Sequence, residues 1–525
     1  MRDSILKFSS FSSSDFDLML FFLGKGTRLA PLPAGENNNK PGVVSSAGVN
    51  ARKNDPSAWS LDEDSKRARR FKIRERFSRA LSSRRRHVHH SPFTFITCSF
   101  IVSVSPTDTT TYNGQFNSQK LPFGLKNKDG KLQSLTVLEA VVKQTGIYAS
   151  SRKGRLSVFW GDQVFLPSAP FQYKPTHHAD ILCTLLGDTA PTAEEWVAQG
   201  LDKYGVIACL ETDVPTRLDA AQVEKVSHAT ATEMLGKLGK LRQVGPSLGS
   251  FSVSSAMLKA LTDEFSTELK EKTAKFDTDP HFWMPMTLSE SDYVSLMEQK
   301  GVDAAVSKAH YERMAKMKAG FDLGDYGLFG AVDVGKDAKW WDYGQVKLYS
   351  KNSLLLLEQS ASADLLRTFL GVDSHLMDCS MDGVTLDGTT YAFDSKIKSG
   401  SVSKSVISGV RAEDAKLDGA IVVNCAAKKI VAEPGAILYG IVDQSEDGIV
   451  AGAGEIKVAV TEENGTSMIL ESLGSIDGGK AWKQVVCKNT MSFEDVHKKN
   501  KSANIGAIQS KRQKLFDEAS SSMGF

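Results

Sequence analysis

The 525 residues, 41% hydrophobic and 24% charged, suffice for two or three globular domains with a sizeable core. A net charge of +2 supplies no global field for nucleic acid or an anionic membrane surface. The six cysteines, Cys98, Cys183, Cys209, Cys379, Cys425 and Cys487, stand far apart without a CxxC pair, which excludes a disulfide framework and a zinc ribbon and points to reduced thiols inside a cell.

The chain opens on a Ser-rich tail, 1–14, within "MRDSILKFSSFSSSDFD". Arg2 and Lys7 give it some transit-peptide character, and Asp3, Asp15 and Asp17 oppose that reading. A cytoplasmic protein is expected, with a plastid or another organelle as the alternative. The apolar runs 18–23 and 93–104 fall short of the roughly 20 residues a membrane helix needs, so no membrane partner is expected.

The first of these runs ends at a glycine, the pattern of a buried parallel strand, and is expected to begin the core sheet. Residues 43–118 then change character: "SKRARRFKIRERFSRALSSRRRHVHH" packs arginines against one glutamate. It shows neither helical faces nor interleaved aromatics, so it reads as a basic, irregular insertion and not a nucleic-acid arm. His87, His89, His90 and Cys98 lie there without finger spacing and are not expected to hold a metal.

Periodicity returns at Leu132, where Leu135, Leu138, Val141 and Val142 predict one helix face, and "GRLSVFWGDQVFLP" reads as strand, turn, strand. His177-His178 reads as a turn. Three further segments, "TAEEWVAQGLDKYGVIACLETD", "SSAMLKALTDEFSTELKEK" and "SESDYVSLMEQKGVDAAVSKAHYERMAKMKAG", continue the α/β rhythm to about residue 360, so 15–360 is expected to be one α/β domain. After a linker at 361–375, residues 376–490 show short β-branched bursts every five to seven residues among small ones, as in a parallel β-helix and with a β-sandwich as the alternative. The tail 491–525 is polar, with a mobile helix expected from Lys498.

The densest chemical signal is "FFLGKGTRLAPLPAGENNNKP", residues 21–41. A strand running into Gly24-Lys25-Gly26-Thr27 lets backbone amides approach a ligand without a Cβ between them, and such a nest favours phosphate. Arg28 can fork onto phosphate oxygens and Lys40 can neutralise them as a point charge. The spacing is neither a Walker loop nor the three-glycine dinucleotide fingerprint, and polyphosphate is the expected guest.

The full pattern G-x-G-T-R-L-x-P-L followed by Lys-Pro resembles the signature of the sugar-1-phosphate nucleotidyltransferases, or NDP-sugar pyrophosphorylases. Later segments resemble the family in the same order: Gly161-Asp162, the Glu224-Lys225 pair, "VGPSLGSFSVS" with Gly249, and Trp340-Trp341-Asp342-Tyr343-Gly344 against Trp-x-Asp-x-Gly. "QKLPFG", with Gln119 and Gly124, resembles the base-reading loop. Phe22-Leu23 replaces the usual Ala-Gly and Val226 the usual proline.

The resemblance covers roughly 18–42 and 119–346. It implies a Rossmann-like nucleotidyltransferase domain with a mostly parallel sheet, followed by a left-handed parallel β-helix that serves as an oligomerisation surface. The implied substrates are a nucleoside triphosphate and a sugar 1-phosphate, with UTP and glucose 1-phosphate or GTP and mannose 1-phosphate leading. Arg28 and Lys40 would be catalytic; Gly24, Gly26, Thr27, Gln119 and Gly124 would bind nucleotide. Glu224, Lys225 and Gly249 would bind the sugar phosphate, and Asp162 and Asp342 would hold Mg2+. The alternative is a catalytically degenerate regulatory or assembly subunit of the same fold. His-based acyl transfer in the β-helix is disfavoured, because no histidine occurs from Val384 to Asp495.

Overall fold

The structure, a computed structural model, describes residues 17–22, 99–103, 120–126, 132–136, 155–160, 163–166, 175–187, 190–211, 218–267, 279–372, 374–500 and 503–525. The strands of its first half are β1 (Asp17–Phe22), β2 (Ser99–Ser103), β3 (Lys120–Lys126), β4 (Leu132–Thr136), β5 (Arg155–Trp160), β6 (Gln163–Leu166), β7 (His177–Cys183), β8 (Gly205–Leu210), β9 (Ala220–Glu224), β10 (Leu241–Ser254), β11 (Gly327–Asp333) and β12 (Lys339–Asp342). Helices α1 (Ala193–Ala198), α2 (His228–Gly236), α3 (Ser255–Glu264), α4 (Glu290–Gln299) and α5 (Ala304–Ala319) lie between them, and α6 (Val346–Leu354) and α7 (Ala361–Leu370) follow.

The main sheet has the order β11-β7-β10-β5-β1-β2. β1 pairs parallel with β2 and β5, and β11 pairs parallel with β7, whereas β10 runs antiparallel to both β5 and β7. The expected first strand is thus an inner strand, as its continuous apolar run requires. The first half of the 14-residue β10 pairs with β8, which carries β9 as a hairpin partner. α3 and α4 begin at Ser254 and Ser289, whose hydroxyls accept from the amides of Met257 and Asp292.

Several expectations from sequence need correction. Leu132–Thr136 is a strand antiparallel to β3, where cross-strand pairing overrides helical spacing; Leu138, Val141 and Val142 of the expected helix face lie outside the described residues. His177 and His178 are buried on β7 instead of forming a turn, because side-chain partners satisfy both imidazoles. Residues 361–370, expected within a linker, form α7, with Ala363, Leu366 and Leu370 buried along one face and Ser360 capping its start.

From Leu376 the chain winds as a parallel β-solenoid. One face stacks Tyr391–Phe393, Val406–Ser408, Ile421–Val423 and Ile437–Tyr439 in parallel register, with Tyr391, Val406, Ile421 and Ile437 in one column. The other stacks Lys396–Ser403, Arg411–Asp418 and Ala426–Ala432. Buried serines tie successive turns: Ser395 Oγ accepts from the Val410 amide at 3.2 Å and Ser405 Oγ from the Ala420 amide at 3.0 Å, each 15 residues on.

The first face is buried on both sides. Ala392, Ile407 and Val422 fill the solenoid interior, while Tyr391, Val406, Ile421 and Ile437 pack outward in a cluster with Phe165, Trp341, Tyr343 and Tyr349. The polar tail, with a helix expected from Lys498, forms helices α8 (Phe493–Asn500) and α9 (Ile505–Ser522). Val496 of α8 packs with Trp482 and Leu470, Ala519 of α9 sits on Ala426, and Arg411 lies over the Phe516 ring at 5.6 Å. A few apolar side chains on otherwise polar helices suffice to dock them. Among the described residues no helix is long and apolar enough to cross a membrane.

Candidate functional site

β1 and β5 end together, with Phe22 opposite Trp160, and β2 lies on the far side of β1. The chain therefore leaves β1 toward one side and returns on the other, a reversal of strand order at whose carboxyl ends α/β sheets receive ligands. In sequence the glycine motif and Asp162 each follow these strand ends by two residues. Gly24, Gly26, Thr27, Arg28, Lys40, Gln119 and Asp162 themselves lie outside the described residues.

Asp342 is the last residue of β12, and β12 pairs antiparallel with β6 so that Asp342 stands opposite Gln163. The neighbour of Gln163 in sequence is Asp162, 180 residues before Asp342. Asp342 is 9% exposed; its Oδ1 accepts from the Gly344 amide at 2.6 Å, and its carbonyl accepts from Asn352 Nδ2 at 2.8 Å. Trp341 and Tyr343 on either side are buried, and burial pushes the Tyr343 phenol well above its ordinary pKa. The aspartate is thus held in a rigid apolar frame. Oxygen donors of this kind suit magnesium, which takes few protein carboxylates and completes its shell with water and phosphate. Among the described residues no group of three or more His, Cys, Asp or Glu is placed to hold a metal ion.

Glu224 ends β9 and Lys225 follows it. Lys225 adopts φ 55°, a left-handed conformation uncommon outside glycine, asparagine and aspartate, and its amide donates to the Tyr204 carbonyl at 3.1 Å. Its ammonium is largely exposed and pairs with Glu224. The second oxygen of Glu224 lies 3.7 Å from Lys300 Nζ, so this carboxylate is flanked by two cations. Val226, where a proline was expected, is buried, and its carbonyl accepts from Trp196 Nε1 at 3.2 Å. Gly249, with φ 74°, lies where the β10–β7 register shifts between Ser247 and Phe251, a turn of backbone that a side chain would strain.

A packed link joins the two clusters. The Tyr204 ring, beside Lys225, meets Trp340 edge-on at 5.2 Å between centroids, and Trp340 lies two residues before Asp342 on β12. Among the described residues, Trp340 Nε1 and Gln163 Oε1 are buried side-chain polar atoms with no hydrogen-bond partner. Gly124 stands apart from these: it lies in the separate β3–β4 pair, opposite Ser134, and β3 runs beside the solenoid strands Tyr391–Phe393 and Val406–Ser408.

Sequence reasoning missed Tyr204, Lys300 and Asn352. Each meets its partner across ten or more residues of chain, and none belongs to a motif. It also missed a buried polar network at the opposite end of the sheet. There Arg155 bonds Asp180 at 3.1 Å and Ser252 at 3.0 Å, and His177 Nε2 lies 2.6 Å from Asp219 Oδ1. A buried arginine opening β5 was the signal. Cys183 and Cys209 are no nucleophiles, since burial raises both thiols, Cys209 to about 12.

No protein-family profile and no curated protein matches this chain. Among solved structures it is similar to the UTP-bound UGPase from Acinetobacter baumannii at 11% identity, with 68% of this chain and 100% of that chain covered and a TM-score of 0.23. At that score the likeness fixes no residue correspondence between the two sites.

Proposed function

We propose that the chain is a sugar-1-phosphate nucleotidyltransferase, joining a nucleoside triphosphate to a sugar 1-phosphate with release of pyrophosphate. The observation that carries this reading is the β6–β12 register, which sets Asp342 opposite Gln163, the residue that follows Asp162 in sequence. Its support is the strand order: the Gly-x-Gly-Thr-Arg motif follows β1 in sequence as Asp162 follows β5, and those two strands end side by side.

In this account one phosphate oxygen of the sugar 1-phosphate attacks the α-phosphorus in line, the bond to the β-phosphate oxygen breaks, and pyrophosphate departs with the electron pair. No covalent enzyme intermediate is required. The chain's work is positioning and charge stabilisation. Lys225 docks the nucleophile's phosphate, and Glu224, which lies between Lys225 and Lys300, accepts from sugar hydroxyls. Arg28 and Lys40 hold the polyphosphate, with Arg28 set against the charge growing on the leaving group. Asp162 and Asp342 would hold Mg2+, which when bound neutralises phosphate charge. UTP with glucose 1-phosphate and GTP with mannose 1-phosphate are the pairs to assay first.

The two aspartates are expected to act as one unit. Asp162→Asn and Asp342→Asn should each lower kcat by about 10²–10³, and the double variant should lose little more, because a site already broken cannot be broken twice. Steady-state kinetics of the four chains decides: independent, multiplying losses would contradict a shared site. The second reading, a non-catalytic subunit of the same fold, is motivated by Phe22-Leu23 and by the buried Val226. It predicts no turnover in the wild-type chain.

A further inference from the structure

Asp342 is fixed from two directions. Its side chain closes a turn onto the Gly344 amide at 2.6 Å, and its main-chain carbonyl receives Asn352 Nδ2 at 2.8 Å. The first bond orients the carboxylate relative to its own backbone; the second fixes that backbone to α6. Asn352 is 7% exposed and projects from a helix whose other buried positions include Val346 and Tyr349. A buried amide is costly unless paired, so an asparagine at this position calls for a reason that an aliphatic residue would not meet.

α6 is itself held firmly. Tyr349 is fully buried and meets the Tyr343 ring at 6.4 Å, and Val346 and Tyr349 belong to the apolar cluster that includes Val406, Ile421 and Ile437 of the solenoid. The order of connection is therefore solenoid face, α6, Asn352, Asp342 carbonyl.

We propose that Asn352 is a positioning residue that sets the Asp342 carboxylate for a divalent cation, through the carbonyl of that aspartate. The inference rests on the metal role assigned to Asp342 above and goes beyond it by naming the group that orients the ligand. Partners one bond removed from a metal ligand commonly change affinity by about 10–100-fold when removed. Because Asn352 acts on the backbone and not on the carboxylate, the lower end applies.

The test uses the full chain and Mn2+ alone, with free Mn2+ followed by electron paramagnetic resonance. Asn352→Leu keeps the volume and loses the donor. Asn352→Asp keeps the shape and puts an acceptor against the carbonyl, and it serves as the second variant should leucine unfold the helix. Fold is checked by melting temperature, and Asp342→Asn is the reference for a lost ligand. The expected result is Mn2+ binding weakened about tenfold in both Asn352 variants, with Tm within about 4 °C of wild type. Wild-type Mn2+ affinity in a folded Asn352 variant, alongside loss in Asp342→Asn, would overturn the role of Asn352 and leave the metal reading standing. Unchanged Mn2+ binding in Asp342→Asn would overturn the metal reading, and the inference with it.

Discussion

At the scale of single residues, Lys225 separates function from stability. Its left-handed backbone costs an L-residue about 1–2 kcal/mol that glycine would not pay, while its ammonium is largely exposed. Lys225→Gly should thus relieve strain in the native chain and raise the entropy of the unfolded one, leaving stability within about 1 kcal/mol of wild type. On the proposed reading a charge-assisted contact to phosphate would be lost, so KM for the sugar phosphate should rise about tenfold or more. Thermal melts and steady-state kinetics on one preparation check both halves; an unchanged KM would remove Lys225 from the site. Gly330 makes the opposite case. A Cβ there would come within 2.1 Å of Nδ1 of His177, an imidazole that is fully buried and held by Asp219. Gly330→Ala should cost about 1–3 kcal/mol by overpacking, and a melt unchanged from wild type would contradict it.

At the scale of elements, the start of α4 makes a pH-dependent clasp. Ser289 donates to Asp292 Oδ2 at 2.6 Å, and Lys237, just past the end of α2, lies 2.8 Å from Asp292 Oδ1. Burial alone would raise the Asp292 pKa; the Lys237 ammonium and the Ser289 hydroxyl outweigh it and hold the carboxyl below its ordinary value. A folded-state pKa below the unfolded one gives stability that is complete above about pH 4 and is lost as pH falls through the lower, native value. Asp292→Asn should flatten that part of the acid limb. Denaturant melts between pH 5 and 2 test this, and parallel limbs for the two chains would contradict it. Elements of this kind were largely legible, because caps, strand bursts and helix faces are local. β5, β6, α3 and α4 fall where the residues predict them, and Asp342 is legible as a candidate because it sits in a compact motif. What escaped was settled by distant partners: α7 reads as a linker until its apolar face is seen in one cluster with solenoid side chains, and His177 reads as a turn residue until Asp180 and Asp219 are seen beside it.

At the scale of the whole molecule, the solenoid shares one apolar core with the α/β domain. Tyr391, Phe393, Val406 and Ile421 pack on the same side chains that frame Asp342. Removing residues 376–525 would expose Trp341, Tyr343 and Tyr349 to water, and contiguous apolar surface of that kind drives association. The shortened chain should elute as soluble aggregate on size exclusion; a monodisperse, active fragment would contradict this packing. The repeat itself was legible from small residues and β-branched bursts, but which face would be covered was not, since both faces of Ile421–Val423 carry aliphatic side chains.

The most direct test of the central claim is pyrophosphate release by the purified full-length chain with Mg2+, assayed with each of the four nucleoside triphosphates against a panel of sugar 1-phosphates. The account predicts release with at least one pair, dependent on both substrates and abolished in Asp342→Asn. No release from the folded chain across the whole panel would contradict it and leave the non-catalytic reading in its place.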